Sequence, residues 1–245
     1  MWLSWPVIRK GMEMKTILNY FSKTELILWS ASVLFIVLAF CIFDRVNFLT
    51  LAASLIGVTS LIFNAKGNAV GQILMVVFSV LYGIISYGFQ YYGEMITYLG
   101  MTMPMAVIAL ITWFLHPFRG NRAEVAVNRI SKREVAFMCV LSAAVTVLFY
   151  CILAFFHTAN LLPSTLSVTT TFIAAYLTFR RSPYFALAYA SNDVILIILW
   201  TAASIENIRY LSVVVCFVAF LANDIYGYIS WQKMKLRQQN VRKAA

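Results

Sequence analysis

Apolar runs long enough to cross a bilayer recur eight times along this chain, and that recurrence constrains the fold more than any other feature. A spanning helix takes about 20 largely apolar residues. The runs are Glu25–Phe43, Asn47–Phe63, Ala69–Phe89, Met95–Leu115, Val135–Phe156, Leu162–Phe179, Pro183–Ala202 and Tyr210–Trp231. Charged residues make up 11% of the 245, and the mean hydropathy is +0.83. A soluble domain carries about 25% charged residues and could not cover so much apolar surface with so few. The second and sixth runs are short, which predicts helices with little tilt or partly buried in protein.

The basic residues test this count. The 19 Lys and Arg fall almost wholly in alternate connections, 17 on one side of the eight spans and two, Arg45 and Arg209, on the other. A wrong number of spans would scramble that pattern. The basic side is expected to be cytoplasmic, with both termini there. Met1–Lys23 shows no signal-peptide core. Tyr91, Tyr92, Trp113, Tyr184 and Trp231 sit near span ends, where aromatic belts form at the membrane surface.

Two stretches share a pattern: a short Ser/Thr-bearing span, a basic turn, a polar-dotted span and a closing span that ends in Trp. One runs through Lys66 to Trp113, the other through Arg181 to Trp231. Two three-span units separated by one linker span have the same orientation in the membrane, a parallel repeat. The predicted fold is therefore an all-α integral membrane bundle of eight transmembrane helices, with a parallel 3+1+3 core and one extra N-terminal helix. The divisions are 1–46 for the N-terminus and extra helix, 47–115 for the first repeat and 116–156 for a loop and linker helix. The second repeat is 157–231, and 232–245 is a basic tail.

Polar side chains inside the spans mark candidate sites, because each is costly in lipid unless it faces protein or a watery cavity. In the seventh span, Tyr189, Asn192, Asp193 and Trp200 recur at helical spacings and share roughly one face. Gln72, Ser79, Tyr82 and Ser86 align in the third. Asn223 and Tyr226 share a face of the eighth, with Asp224 beside them. The candidate substrate-binding set is Gln72, Tyr82, Tyr189, Asn192, Asp193, Trp200, Asn223 and Tyr226. The alternative for each is ordinary packing between helices. Thr165, Thr169, Thr170 and Thr171 read as hydroxyls bonding back to their own helix. Pro104 should kink the fourth span and free the carbonyl of Gly100.

No nucleotide-binding loop, nucleophile–base pair or Cys/His metal cluster stands out, so no catalytic residue, metal or cofactor is expected. Cys41, Cys139, Cys151 and Cys216 lie in apolar runs and read as small packing residues. The charge of +10 reflects topology, not nucleic-acid binding, because no basic face is interleaved with exposed aromatics.

FNAKGNAVGQILMVVFSVLYG from Phe63, RRSPYFALAYASNDVILIILW from Arg180 and FLANDIYGYISW from Phe220 resemble the PnuC family of bacterial vitamin transporters. The resemblance implies a fold similar to the SWEET sugar transporters, a homotrimer, and a multi-pass place in the bacterial cytoplasmic membrane. It also implies facilitated diffusion of nicotinamide riboside by alternating access, with trapping by a cytoplasmic kinase. The family's Trp-x-x-Trp-x-x-x-Asn/Asp motif is altered here. Ending it at Asn192 puts Phe185 and Ala188 at the Trp positions; ending it at Asp193 puts Ala186 and Tyr189 there. Another vitamin or nucleoside (thiamine, riboflavin, a deoxynucleoside) is the alternative within transporters, and a membrane-embedded enzyme is the alternative outside them.

Overall fold

The structure, a computed structural model, describes residues 20–88, 91–158 and 160–244. The N-terminal Arg9, Lys10 and Lys15 lie outside the described residues. Within them, eight helices are long and apolar enough to cross a membrane. They are α1 (Lys23–Asp44), α2 (Phe48–Ala65), α3 (Val70–Gly88), α4 (Tyr92–Leu115), α5 (Lys132–Phe155), α6 (Leu161–Phe179), α7 (Phe185–Glu206) and α8 (Leu211–Lys243). The eight predicted spans match them in order.

Local chemistry sets the helix ends. Ser22 and Glu25 form a capping box at the start of α1: the Glu25 N–H donates to Ser22 Oγ at 3.2 Å and the Ser22 N–H to Glu25 Oε2 at 2.7 Å. Ser131 caps α5 through the Glu134 N–H. In α4 the helix widens into a π turn at Tyr98–Thr102, just ahead of Pro104. The proline's missing N–H is thus absorbed by a π bulge, the local device that accompanies the predicted kink.

Two turns on the basic side carry the same backbone pattern. After α2, the Gly67 N–H donates to the Asn64 carbonyl and the Asn68 N–H to that of Phe63. After α6, the Arg181 N–H donates to Thr178 and the Ser182 N–H to Leu177. Gly67 (φ 67°) and Arg181 (φ 55°) both take the left-handed conformation. This sets Gly67 opposite Arg181, one residue off the Lys66/Arg181 alignment read from the sequence. Burial holds the Arg181 guanidinium below its usual basicity.

The closing tryptophans lock across these turns. Trp231 Nε1 at the end of the second unit donates to the Asn64 carbonyl of the first unit at 2.7 Å. Trp113 Nε1 at the end of the first donates to the Thr178 carbonyl of the second at 3.0 Å. The two indoles meet at 5.5 Å. Both are core residues, 2% and 0% exposed, and Tyr91 is buried too. The expected place of these three in interfacial belts is therefore wrong: each indole N–H finds a buried backbone carbonyl instead of the wet membrane surface.

Packing follows the same plan. α2 packs on α3 and α8, α6 on α7 and α4, and α8 on α7. α2 and α6 are the most enclosed spans, each 56% buried, which accounts for their modest length and polarity. α5 packs chiefly on α6 and is only 17% buried; α1 lies against α2 and α8. Cys41, Cys139 and Cys151 sit on exposed surface and Cys216 is buried, all free. The α2–α8 approach depends on Gly57, where an added Cβ would lie 2.3 Å from Phe220 Cζ. Gly57→Val is expected to destabilise the bundle by about 1–3 kcal/mol, read as a lower unfolding temperature in detergent.

The basic side also carries structure that the sequence reading left as loop and tail. Pro117–Phe118 and Asn121–Val125 form a short antiparallel hairpin through a tight turn at Arg119 (φ 49°) and Gly120 (φ 79°). α8 continues as helix to Lys243 and holds that hairpin. Gln238, 2% exposed, donates to Glu124 and to the Val125 carbonyl and accepts from the Val127 N–H. Arg237 pairs with Glu124, Arg180 with Glu134, and Lys66 with Glu25 at 3.2 Å.

Candidate functional site

The polar groups predicted inside the membrane converge on the interior between the two three-helix units, but not all on one point. Asn192 and Asp193 on α7 are 3% and 4% exposed. Asn192 Oδ1 accepts from Thr170 Oγ1 of α6 at 2.9 Å. The Asp193 and Asp224 carboxyls, from α7 and α8, face each other within hydrogen-bonding reach. Tyr189 lies within electrostatic reach of both. Asn223, beside Asp224, donates to Ser32 Oγ of α1 at 2.9 Å and to the Ala219 carbonyl.

Nearer the end opposite the basic side, Tyr82 and Trp200 meet: Trp200 Nε1 donates to Tyr82 Oη at 2.8 Å. Around them Tyr98, Tyr91, Phe78, Phe217 and Tyr210 form a continuous set of rings. Tyr82 and Tyr98 are 4.3 Å apart, centroid to centroid. The cavity lined by Thr50, Ser54, Tyr82, Trp200, Cys216 and Phe217 holds only about 10 Å³, no more than one water. This half of the bundle is plugged by aromatic side chains.

Two predicted residues lie apart from the rest. Gln72 Nε2 donates to Asn64 Oδ1 at 2.8 Å, two residues into α3, and so ties the α2–α3 turn on the basic side. Tyr226 donates to Glu25 of α1 at 3.2 Å, beside Lys66. Glu25 in turn lines a cavity of about 320 Å³ with Tyr20, Lys66, Glu124, Lys233 and Arg237. Of the threonines, Thr165, Thr169 and Thr170 bond back to carbonyls one turn earlier, as their spacing suggested.

Phe185 and Tyr189 sharpen the altered motif. Phe185 packs on Trp231 at 4.9 Å and on Trp113 at 6.4 Å, inside the tryptophan lock. Tyr189, the aromatic of the frame that ends at Asp193, is the one beside the acidic pair.

Sequence reasoning missed Glu94 and Tyr98. Glu94 was placed in the third connection; the structure puts it in the first turn of α4, 1% exposed. The signal was present: Tyr91, Glu94 and Tyr98 stand three and four apart, one helix face. Several buried side-chain atoms in this interior have no hydrogen-bond partner among the described residues: Ser86 Oγ, Glu94 Oε2, Ser167 Oγ, Thr171 Oγ1, Asp193 Oδ2 and Asn223 Oδ1. Each such buried polar group calls for an explanation. They suit a polar solute that enters and supplies the missing partners.

Comparison with known proteins places this arrangement. A solved structure titled "Crystal structure of the Vitamin B3 transporter PnuC" superposes with a TM-score of 0.78 at 22% identity, covering 89% of this chain and 94% of that one. A curated relative from Neisseria mucosa, named "Nicotinamide riboside transporter PnuC", is 26% identical over 202 residues, 80% of this chain and 76% of its own length. The family described as "Nicotinamide mononucleotide transporter" matches residues 47–233, which begins just ahead of α2 and takes in both tryptophan locks. With its eight spans, aromatic-plugged interior and unmet polar groups, the chain belongs to the nicotinamide mononucleotide transporter family of membrane transporters.

Proposed function

We propose that the protein carries nicotinamide riboside, rather than its phosphorylated mononucleotide, down its gradient across the bacterial cytoplasmic membrane. One observation favours the riboside. Among the described residues, the buried charged side chains are Glu25, Asp44, Glu94, Asp193 and Asp224; no Lys or Arg is among them, and Arg181, half-buried, lies in the turn after α6 at the basic end. A phosphate monoester would meet carboxylates and no cation, an unfavourable burial. The riboside has a cationic pyridinium ring and neutral hydroxyls, which suit acids and aromatic faces.

In this reading the ribose hydroxyls bond to Asp193, Asn192 and Asn223. The rings of Tyr82, Tyr189 and Trp200 enclose the solute, and the two units rock about this interior. The aromatic plug closes the end opposite the basic side, so uptake requires Tyr82 and Tyr98 to separate. The basic end, with both termini, faces the cytoplasm, where a kinase traps the product. The working form is a homotrimer; α5, mostly uncovered and carrying exposed Cys139 and Cys151, offers crosslinking positions to test it.

Calorimetric titration of the purified protein tests the substrate. Saturable binding of the riboside, at least tenfold tighter than of the mononucleotide, is expected. Equal or tighter mononucleotide binding contradicts the reading. Thiamine, also cationic, is the comparator; tighter thiamine binding keeps the mechanism and moves the substrate.

A further inference from the structure

We propose that Glu94 is the counter-ion of a cation subsite in the plugged half of the bundle, where a positively charged aromatic ring is held against Tyr82, Tyr91 and Tyr98. The proposal rests on the riboside reading and names the residue that makes the protein prefer a charged ring.

Glu94 is anomalous among the carboxylates of the described residues. Glu25, Glu124 and Glu134 each face a Lys or Arg. Asp44 accepts from Asn47, and Asp193 faces Asp224. Glu206 is exposed. Glu94 is 1% exposed, yet its Oε2 has no hydrogen-bond partner among the described residues. A carboxylate in the first turn of a helix can serve simply as a cap. Glu25 does this through the Ser22 N–H; no such bond is made by Glu94 Oε2. Burying an unpaired acid is costly, and a group retained on those terms inside the bundle points to function.

Its surroundings specify the ligand. Glu94 and Tyr98 share a face of α4, Tyr91 immediately precedes that helix, and Glu94 lies within electrostatic reach of Tyr82, Tyr91 and Tyr98. Tyr82 and Tyr98 stand 4.3 Å apart, and Tyr91 packs on Trp200 at 5.0 Å. Ring faces together with one carboxylate recognise a delocalised organic cation, through cation–π attraction and ion pairing. A small hydrated metal ion would want several oxygens, and no group of three metal-binding side chains occurs among the described residues. Ser86 Oγ, also buried without a partner among the described residues and one turn from Tyr82, can bond to a carboxamide on the same ring. Tyr82 and Tyr98 touch where the ring would insert, so the subsite forms as the plug opens.

The test compares nicotinamide riboside with its uncharged 1,4-dihydro form, titrated into the native protein, E94Q and E94D. The native protein should prefer the cation by about tenfold or more. E94Q should lose that preference by weakening only the cationic ligand, and E94D should keep most of it. A preference unchanged in E94Q overturns the assignment. A native protein that binds neither form overturns the riboside reading itself, and this proposal with it. A second measurement needs no variant: cationic 1-methylnicotinamide should displace bound riboside at least tenfold better than neutral nicotinamide. Equal displacement by the two also overturns the assignment.

Discussion

Asp193→Ala weakens riboside binding by about 10- to 100-fold, with the protein still folded. Asp193 is 4% exposed on α7, faces Asp224 of α8, and its Oδ2 has no hydrogen-bond donor among the described residues. Its expected role is to accept hydrogen bonds from the ribose hydroxyls. Hydrogen bonds to charged groups contribute about 1.5–3 kcal/mol, and each 1.4 kcal/mol is tenfold in affinity. Stability should hold or rise, because the substitution removes one of two buried carboxyls that face each other. A double-mutant comparison isolates the contact: the 2′-deoxy and 3′-deoxy ribosides bind the native protein less well than the riboside. The variant discriminates against one or both of them less. If Asp193→Ala binds all three as the native protein does, Asp193 touches no ribose hydroxyl. Gln72→Ala provides the contrast. Gln72 bonds to Asn64 at the α2–α3 turn, so its loss should lower stability more than affinity.

Trp231→Leu has the largest effect expected on folding. The indole is fully buried, packs on Phe185 at 4.9 Å and on Trp113 at 5.5 Å, and donates to the Asn64 carbonyl across the two units. Truncating a buried Trp to Ala costs about 3–5 kcal/mol; Leu refills part of the space but leaves Asn64 without its donor. The unfolding temperature in detergent should fall well below that of the native protein and below that of Gly57→Val. Trp231→Phe keeps a ring without the N–H and should fall between Trp231→Leu and the native protein. Trp113→Leu should resemble Trp231→Leu, because Trp113 makes the matching bond to Thr178. A large drop for one and none for the other would contradict a reciprocal lock.

Much of this architecture was legible in the residues. Span number and order follow from apolar length and from the alternation of Lys and Arg, both of which lipid imposes directly. The two closing tryptophans and the two basic turns were visible as a repeat. Their reciprocal bonding was not, because it depends on how the units cross. Trp113, Trp231 and Tyr91 were misread for a related reason: an aromatic near a span end suits a membrane surface and a protein interior equally until packing is known. Gln72 and Tyr226 share helical stripes with Tyr82 and Asn223, but a stripe fixes a face and not a depth. Both lie toward the basic end, bonded to Asn64 and Glu25. Glu94 escaped notice because the span was started three residues too late, at Met95 instead of Tyr92, leaving its buried acid in a loop. The hairpin at Pro117–Val125 is brief, and its pairing is supported by α8 and Gln238, more than a hundred residues away in sequence.

The central claim is that this bundle moves the intact riboside and not the mononucleotide. The most direct measurement loads purified protein into liposomes with unlabelled nicotinamide riboside and follows entry of labelled riboside from outside by counterflow. The account predicts rapid exchange of chemically unchanged riboside, needing no imposed ion gradient, slowed at low riboside concentration in Asp193→Ala and not driven by internal mononucleotide. Exchange driven equally by the mononucleotide, or recovery of the label as a different compound, would contradict it.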